Sequence, residues 1–196
     1  MKKVLLISSL ALSSLGYSYS QTFDLTTGKN NSTGLLIDYG NGDDTWQVST
    51  NGGSSFSAAP VCNTNGVSWD INGCGRWITS KVSLSDFGAP IKNSPVGLMQ
   101  YKTVFNLPTV NYCTYGKLVI NYLGGDDDIE GLYLNGYFYS LTPVPSTDYN
   151  PLYQNITINF PPSHLLQGAN NIIIKIKNNS EYQGLFLCGN LYVTVC

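Results

Sequence analysis

Apolar and polar positions alternate with a period of two through much of the second half of the chain. Tyr101, Thr103, Phe105 and Leu107 share one face, with Lys102 and Asn106 on the other. Leu118, Ile120 and Tyr122 repeat the pattern after a break at Tyr115-Gly116. Ile156, Ile158 and Phe160 form a third set, stopped by Pro161-Pro162, and Ile172, Ile174 and Ile176 alternate with Lys175 and Lys177. Successive side chains of a strand point to opposite faces, so each set reads as a half-buried strand. Leu132-Tyr133-Leu134 and Tyr137-Phe138-Tyr139 flank Asn135-Gly136. That pair favours a type I′ turn, because both of its residues tolerate positive φ, and it predicts a hairpin. Residues 163–167 predict one helical turn before Gly168, and 185–195 a closing strand.

Helical periodicity is nearly absent, and no repeat of solenoid or propeller length occurs. Many short strands at near-regular spacing predict an all-β, two-sheet antiparallel sandwich. No linker divides it. The Gly/Ser/Asn-rich stretches 51–57 and 62–75 read as surface loops, the second inside an insert at 58–77.

The first twenty residues stand apart. Met1-Lys2-Lys3 is a positive start, 4–15 is apolar with interspersed serines, and Ser18 and Ser20 put small residues before Gln21. This is the layout of a cleaved signal peptide, too short and too broken to span a bilayer. The predicted division is a signal at 1–20 and one domain at 21–196, secreted to the cell surface, the medium or the periplasm. A domain of that size buries roughly 70% of the surface its unfolded chain exposes. No later segment has the length and apolarity of a membrane span.

Composition narrows the partners. Charged residues make up only 11% of the chain, with 10 Lys+Arg against 12 Asp+Glu. Without Lys2 and Lys3 the balance is 8 against 12, a net charge of −4. No basic cluster is available for nucleic acid, where phosphate neutralisation dominates affinity. The single histidine, His164, excludes three-His and HExxH metal centres. It also lacks a GxSxG nucleophile, so serine or cysteine hydrolysis is not expected, and His164 reads as exposed or capping. A glycosidase needs two carboxylates flanking one bond, and the acidic residues here are more simply turn formers. The expectation is a protein that is not an enzyme.

Export makes Cys62, Cys74, Cys113, Cys188 and Cys196 disulfide candidates before metal ligands. Two bridges and one odd thiol can be drawn in 15 ways from five cysteines. Cys62–Cys74 is the nearest local pairing, a loop worth about 3 kcal/mol in the chain-entropy model. Cys113 is open to Cys188 or Cys196, and Cys196 is the candidate odd thiol.

Asp44-Thr45-Trp46, Arg76-Trp77-Ile78, Tyr101-Lys102-Thr103-Val104-Phe105, Gly125-Asp126-Asp127, Leu132-Tyr133-Leu134-Asn135-Gly136, Gly168-Ala169-Asn170-Asn171-Ile172 and Gly184-Leu185 follow one another in an ordered series. The series resembles the galactose-binding-domain-like jelly-roll β-sandwiches of exported bacterial proteins, over most of 43–195. The resemblance implies a jelly roll with function in loops at one end. It also implies structural roles for Trp46 and Trp77. Family members include carbohydrate-binding and adhesion modules, so the fold alone does not choose between them. The cysteine-bearing insert departs from the simpler pattern.

Candidate contacts follow from chemistry. Sugar rings lay their CH faces on aromatic rings and give their hydroxyls to amides and carboxylates. Trp69, beside Asp70 in the insert, is the sharpest candidate for a stacking platform, with packing onto the core as the competing role. Tyr149 and Tyr153 flank Asn150-Pro151 in a loop, whereas Tyr137 and Tyr139 read as packing residues. Asp126, Asp127 and Asp128 form the densest acidic run and suggest a structural calcium ion, although an EF-hand spacing is missing. The expected function is a non-catalytic binding module for neutral carbohydrate or glycoconjugate. The alternative is a surface or matrix adhesion protein working through protein contacts.

Overall fold

The computed structural model describes residues 18–64, 69, 73–83, 88–90, 96–141, 153–179 and 182–195. In chain order the strands are β1 (Tyr19–Asp24), β2 (Gly42–Ser49), β3 (Ser57–Pro60), β4 (Val82–Ser83), β5 (Ala89–Pro90), β6 (Gly97–Leu107), β7 (Tyr115–Asp126), β8 (Asp128–Leu134), β9 (Tyr137–Tyr139), β10 (Tyr153–Phe160), β11 (Gly168–Asn178) and β12 (Gly184–Val195). A four-stranded sheet has the order β1-β12-β7-β10, and a six-stranded sheet the order β3-β2-β6-β11-β8-β9. All pairings within both sheets are antiparallel, and β4-β5 form a small separate ribbon. The fold is a two-sheet β-sandwich. A 3-10 turn, Pro162–His164, occupies the place of the expected helical turn. β1 begins at Tyr19, so cleavage after Ser20 would leave its stretch from Gln21 onward to pair with β12.

The main core lies between the sheets and is built from the alternating sets. Tyr101, Leu107, Ile172, Ile174, Ile176, Leu132 and Leu134 are fully buried, as is Trp46 on β2. Each such side chain contributes roughly 1.5–3 kcal/mol on burial. The β8–β9 hairpin turns at Asn135 and Gly136, with φ of 50° and 88°, the left-handed pair that a type I′ turn requires.

One strand departs from simple alternation. On β7, Leu118 and Ile120 point into the core, yet the next buried residue is Leu123, not Tyr122. Opposite it, Cys188 pairs with Tyr122 and Gly189 with Ile120, so Asn121 is an extra residue in β7. This bulge inverts the facing of the strand from Tyr122 onward. Glycine is required across from it, because a Cβ on Gly189 would lie 2.5 Å from the Val119 carbonyl oxygen.

β12 consequently serves two cores. Leu185, Leu187, Leu191 and Val193 join the main core. Phe186 and Cys188, on the opposite face, form a second cluster with Cys62, Trp69 and Trp77. The insert therefore packs on the outer side of the four-stranded sheet. Its chain docks edge-on to β12, with Ile78 and Leu185 exchanging backbone hydrogen bonds of 2.9 Å. A buried side-chain network closes the junction: the Tyr101 hydroxyl donates to Gln183 Oε1, and Gln183 Nε2 donates to Thr79 Oγ1 at 3.1 Å.

The disulfide pattern corrects the local expectation. Cys74 is bonded to Cys188 across a sequence separation of 114, and Cys62 is a free, buried thiol. Cys113 is disulfide-bonded, and Cys196 lies outside the described residues. The reason is strand facing. Phe186 and Cys188 point outward under the insert, which brings Cys74 over β12, while Cys62 is drawn inward and its Sγ donates to the Trp77 carbonyl.

A bridge closing so long a loop predicts a loss of about 2–5 kcal/mol on Cys188→Ser, read as a lower urea midpoint. Peptide mapping without reduction should recover Cys74 linked to Cys188. Cys62 should take up an alkylating label only after denaturation.

Candidate functional site

Among the described residues, those singled out from the sequence serve several separate contacts rather than one exposed site. Trp69 is 7% exposed and stacks on Trp77 with ring centroids 4.5 Å apart. Its Nε1–H donates to Asp126 Oδ2 at 2.6 Å, so one face and the polar edge of the ring serve the fold. The expected stacking platform is a packing residue, lodged over Gly184, where a Cβ would meet Trp69 Cη2 at 2.7 Å. Asp70 and Tyr149 lie outside the described residues, and the Tyr153 backbone opens β10 opposite Leu123.

The acidic run is divided among structural partners. Asp126 holds Trp69, Asp127 Oδ2 accepts the Asn179 backbone N–H at 2.5 Å, and Asp128 Oδ2 accepts Asn179 Nδ2 at 2.9 Å. Among the described residues no group of three or more His, Cys, Asp or Glu is arranged to hold a metal ion. His164 is half-buried, stacked on Tyr137 at 3.6 Å, with Nδ1 2.5 Å from the Tyr139 hydroxyl. Tyr139 in turn meets the edge of Phe160.

Two of the openings among the described residues stand out for the chemistry of their lining. The first is a groove of about 340 Å³ on the outer face of the six-stranded sheet, lined by Asn31, Asp44, Thr45, Gln47, Lys102 and Val104. Five of these six side chains carry a hydrogen-bonding group, Val104 being the exception. β2 and β6 supply the floor, in register at Gln47 and Lys102. The same row continues through Ile173 on β11 and Tyr133 on β8 to Phe138 on β9, which is 57% exposed. The Lys102 ammonium sits 3.9 Å from the Phe56 ring centroid, and that of Lys175 sits 4.1 Å from Tyr133.

The start of β2 is held by Asp43, which is buried. Its Oδ1 accepts the N–H groups of Thr45 and Trp46 at 2.8 Å each, and its Oδ2 accepts that of Gly28 at 2.6 Å. The next residue, Asp44, points to solvent and reaches the groove. Burial pushes the Asp43 carboxyl up to about 6, against the pull of the three N–H donors.

The second opening is a cleft of about 270 Å³ beside the insert, where Cys62, Trp77 and Phe186 are buried and Leu36, Tyr39 and Arg76 stand at the rim. Sequence reading placed Arg76 only within the ordered series. It passed over Asn31, Gln47 and Tyr39 because nothing local marks them. Lys102 was legible as an outward residue.

No protein-family model matches the chain, and no curated protein matches it. Among solved structures, it is similar to a Ruminococcus gnavus β-glucuronidase in complex with uronic isofagomine at 13% identity and a TM-score of 0.39, covering 90% of this chain and 28% of that one. It is also similar to a putative β-galactosidase from Bacteroides fragilis at 10% identity and a TM-score of 0.39, covering 89% and 23%. The chain spans less than a third of the length of these proteins.

Asp43 provides a direct check on how the groove is held. Asp43→Asn places an amide N–H₂ against the Gly28 N–H and should cost about 1–3 kcal/mol at pH 7. The folded value near 6 lies above the ordinary 3.8, so the folded chain takes up this proton first as the pH falls. The stabilising contribution of that proton is fully present below about pH 4 and is lost as pH rises through 6. The stability gap between wild type and Asp43→Asn should therefore widen from pH 7 to pH 4.5 in parallel melts.

Proposed function

We propose that this chain is an exported, non-catalytic binding module for neutral carbohydrate or glycoconjugate, with the sheet groove as its contact surface. The observation that carries the reading is the groove's lining, in which amide, hydroxyl, carboxylate and ammonium groups surround one valine. A sugar hydroxyl is donor and acceptor at once, so it is best met by neighbours of both kinds. Gln47 and Asn31 supply both from one side chain, Asp44 accepts and Lys102 donates. The Gln47 amide is exposed and makes no hydrogen bond to the described residues. One positive and one negative group line the groove together, which favours no net charge in the ligand.

The aromatic row extends this surface sideways. Phe138 and Tyr133 lie with ring centroids 5.3 Å apart on the same face. An oligosaccharide crossing the strands would meet hydroxyl-binding groups first and aromatic faces next. Such a surface differs from the loop site expected from the sequence, since all its contacts but Asn31 stand on paired strands and need little ordering on binding.

Titration of the purified protein with neutral oligosaccharides, by calorimetry or on a glycan array, tests this. Binding is expected to weaken about tenfold in Gln47→Ala and in Lys102→Ala, a loss of about 1.4 kcal/mol each, with melting temperatures unchanged. Absence of binding to every neutral glycan, or binding indifferent to both substitutions, would sink the reading in favour of a protein-contact role.

A further inference from the structure

The cleft beside the insert differs in chemistry from the groove. Its floor is the second apolar cluster, with Cys62, Trp77 and Phe186 each no more than 1% exposed. Among the described lining residues one is charged, Arg76 at the rim. The guanidinium lies 4.2 Å from the Tyr39 ring centroid, and its Nη1 donates to the Ile37 carbonyl at 2.5 Å. These two contacts hold the side chain in place without neutralising it. The ion pair formed among the described residues is Lys29–Asp24, and no described carboxylate reaches Arg76.

The position of Arg76 is enforced from beneath. Its backbone N–H donates to the Thr27 carbonyl at 2.9 Å, and its own carbonyl accepts the Thr27 hydroxyl at 2.8 Å. Gly28, with φ of 67°, passes so close that a Cβ there would lie 2.5 Å from the Arg76 Cβ. The arginine is thus mounted on buried backbone, with its head over an aromatic ring at the mouth of an apolar cavity.

We propose that this cleft binds a single carboxylated sugar residue, its carboxylate on the Arg76 guanidinium and its apolar ring face against the aromatic lining. A fixed planar guanidinium matches a carboxylate through two parallel N–H bonds, a geometry that lysine cannot offer. Arg76 is the one cation among the described lining residues, which suits a monoanion better than a phosphate dianion. The volume suits one ring with its substituents rather than an extended chain. Naming a sugar rests on the carbohydrate reading above; the preference for a carboxylate rests on Arg76 alone.

The test uses the full chain and the methyl glycosides of glucuronate and galacturonate, with those of glucose and galactose as neutral controls. Binding is followed by calorimetry and by the fluorescence of Trp77 in the cleft floor. The uronates are expected to bind at least tenfold more tightly than their neutral counterparts. Arg76→Gln should remove that preference, while Arg76→Lys retains only part of it. Gly73→Trp gives a control that keeps Arg76: a Cβ at Gly73 meets nothing within 4 Å, so a large side chain is accommodated there while obstructing the cleft. It should weaken uronate binding at least tenfold without moving the melting temperature. Gln47→Ala should leave uronate binding unchanged, so the cleft and the groove fail or succeed separately. Uronate binding no tighter than glucose binding, or preserved in both Arg76→Gln and Gly73→Trp, overturns the assignment.

Discussion

Residues 25–28 are buried backbone outside both sheets, and every polar group that they carry has to be satisfied without water. An unmet backbone donor or acceptor in such a place costs about 1–3 kcal/mol. The partners come from β12, β2 and the insert. Leu25 N–H reaches the Gly189 carbonyl and Thr27 N–H that of Leu187, so the segment extends the edge of the four-stranded sheet past the end of β1. Trp46 Nε1 donates to the Leu25 carbonyl at 2.9 Å, and Asp43 takes the Gly28 N–H. Arg76 pairs with Thr27 from the insert. Through this one segment, β2, β12 and the insert are tied together, and both openings take their positions from it. The groove lies beyond Asp43 and the cleft beyond Arg76.

The second organising feature is that β12 has apolar residues on both faces for part of its length. A strand of an exposed sheet ordinarily shows one apolar face. Here Phe186 and Cys188 need a cover of their own, and the insert supplies it with Trp69 and Trp77. Gly184 lets the stacked indoles sit directly on the strand backbone. What looked in the sequence like a loop added to a finished sandwich is a layer of it.

Legibility of the fold in the sequence followed locality. Strands such as 101–107 and Ile172–Ile176 declare themselves by period two, and Asn135-Gly136 declares its turn, because these signals depend on neighbours along the chain. The bulge at Asn121 does not, since it answers to what Gly189 can tolerate on the next strand. Trp69 shows the same limit for the site. Its composition suited sugar stacking, but its environment is set by Trp77, Asp126 and Gly184, all distant in sequence. Cys62 and Cys74 were near each other in the chain and still not partners, because facing on β12 decided the pairing. Gln47 and Lys102 form a groove only once β2 and β6 are in register.

The Cys74–Cys188 bond also imposes an order on the birth of the molecule. Synthesis runs from the N-terminus, and the partner of Cys74 follows 114 residues later. The first thiol that Cys74 encounters is Cys62, on the same insert and already made. An oxidant acting before β12 is made would find Cys62 and not Cys188 on offer, because the right partner exists only once β12 has arrived. The layer that shelters Cys62 behind Trp77 is completed by that same strand. Maturation of the cysteines is in this sense a timing problem, set by the arrival of β12.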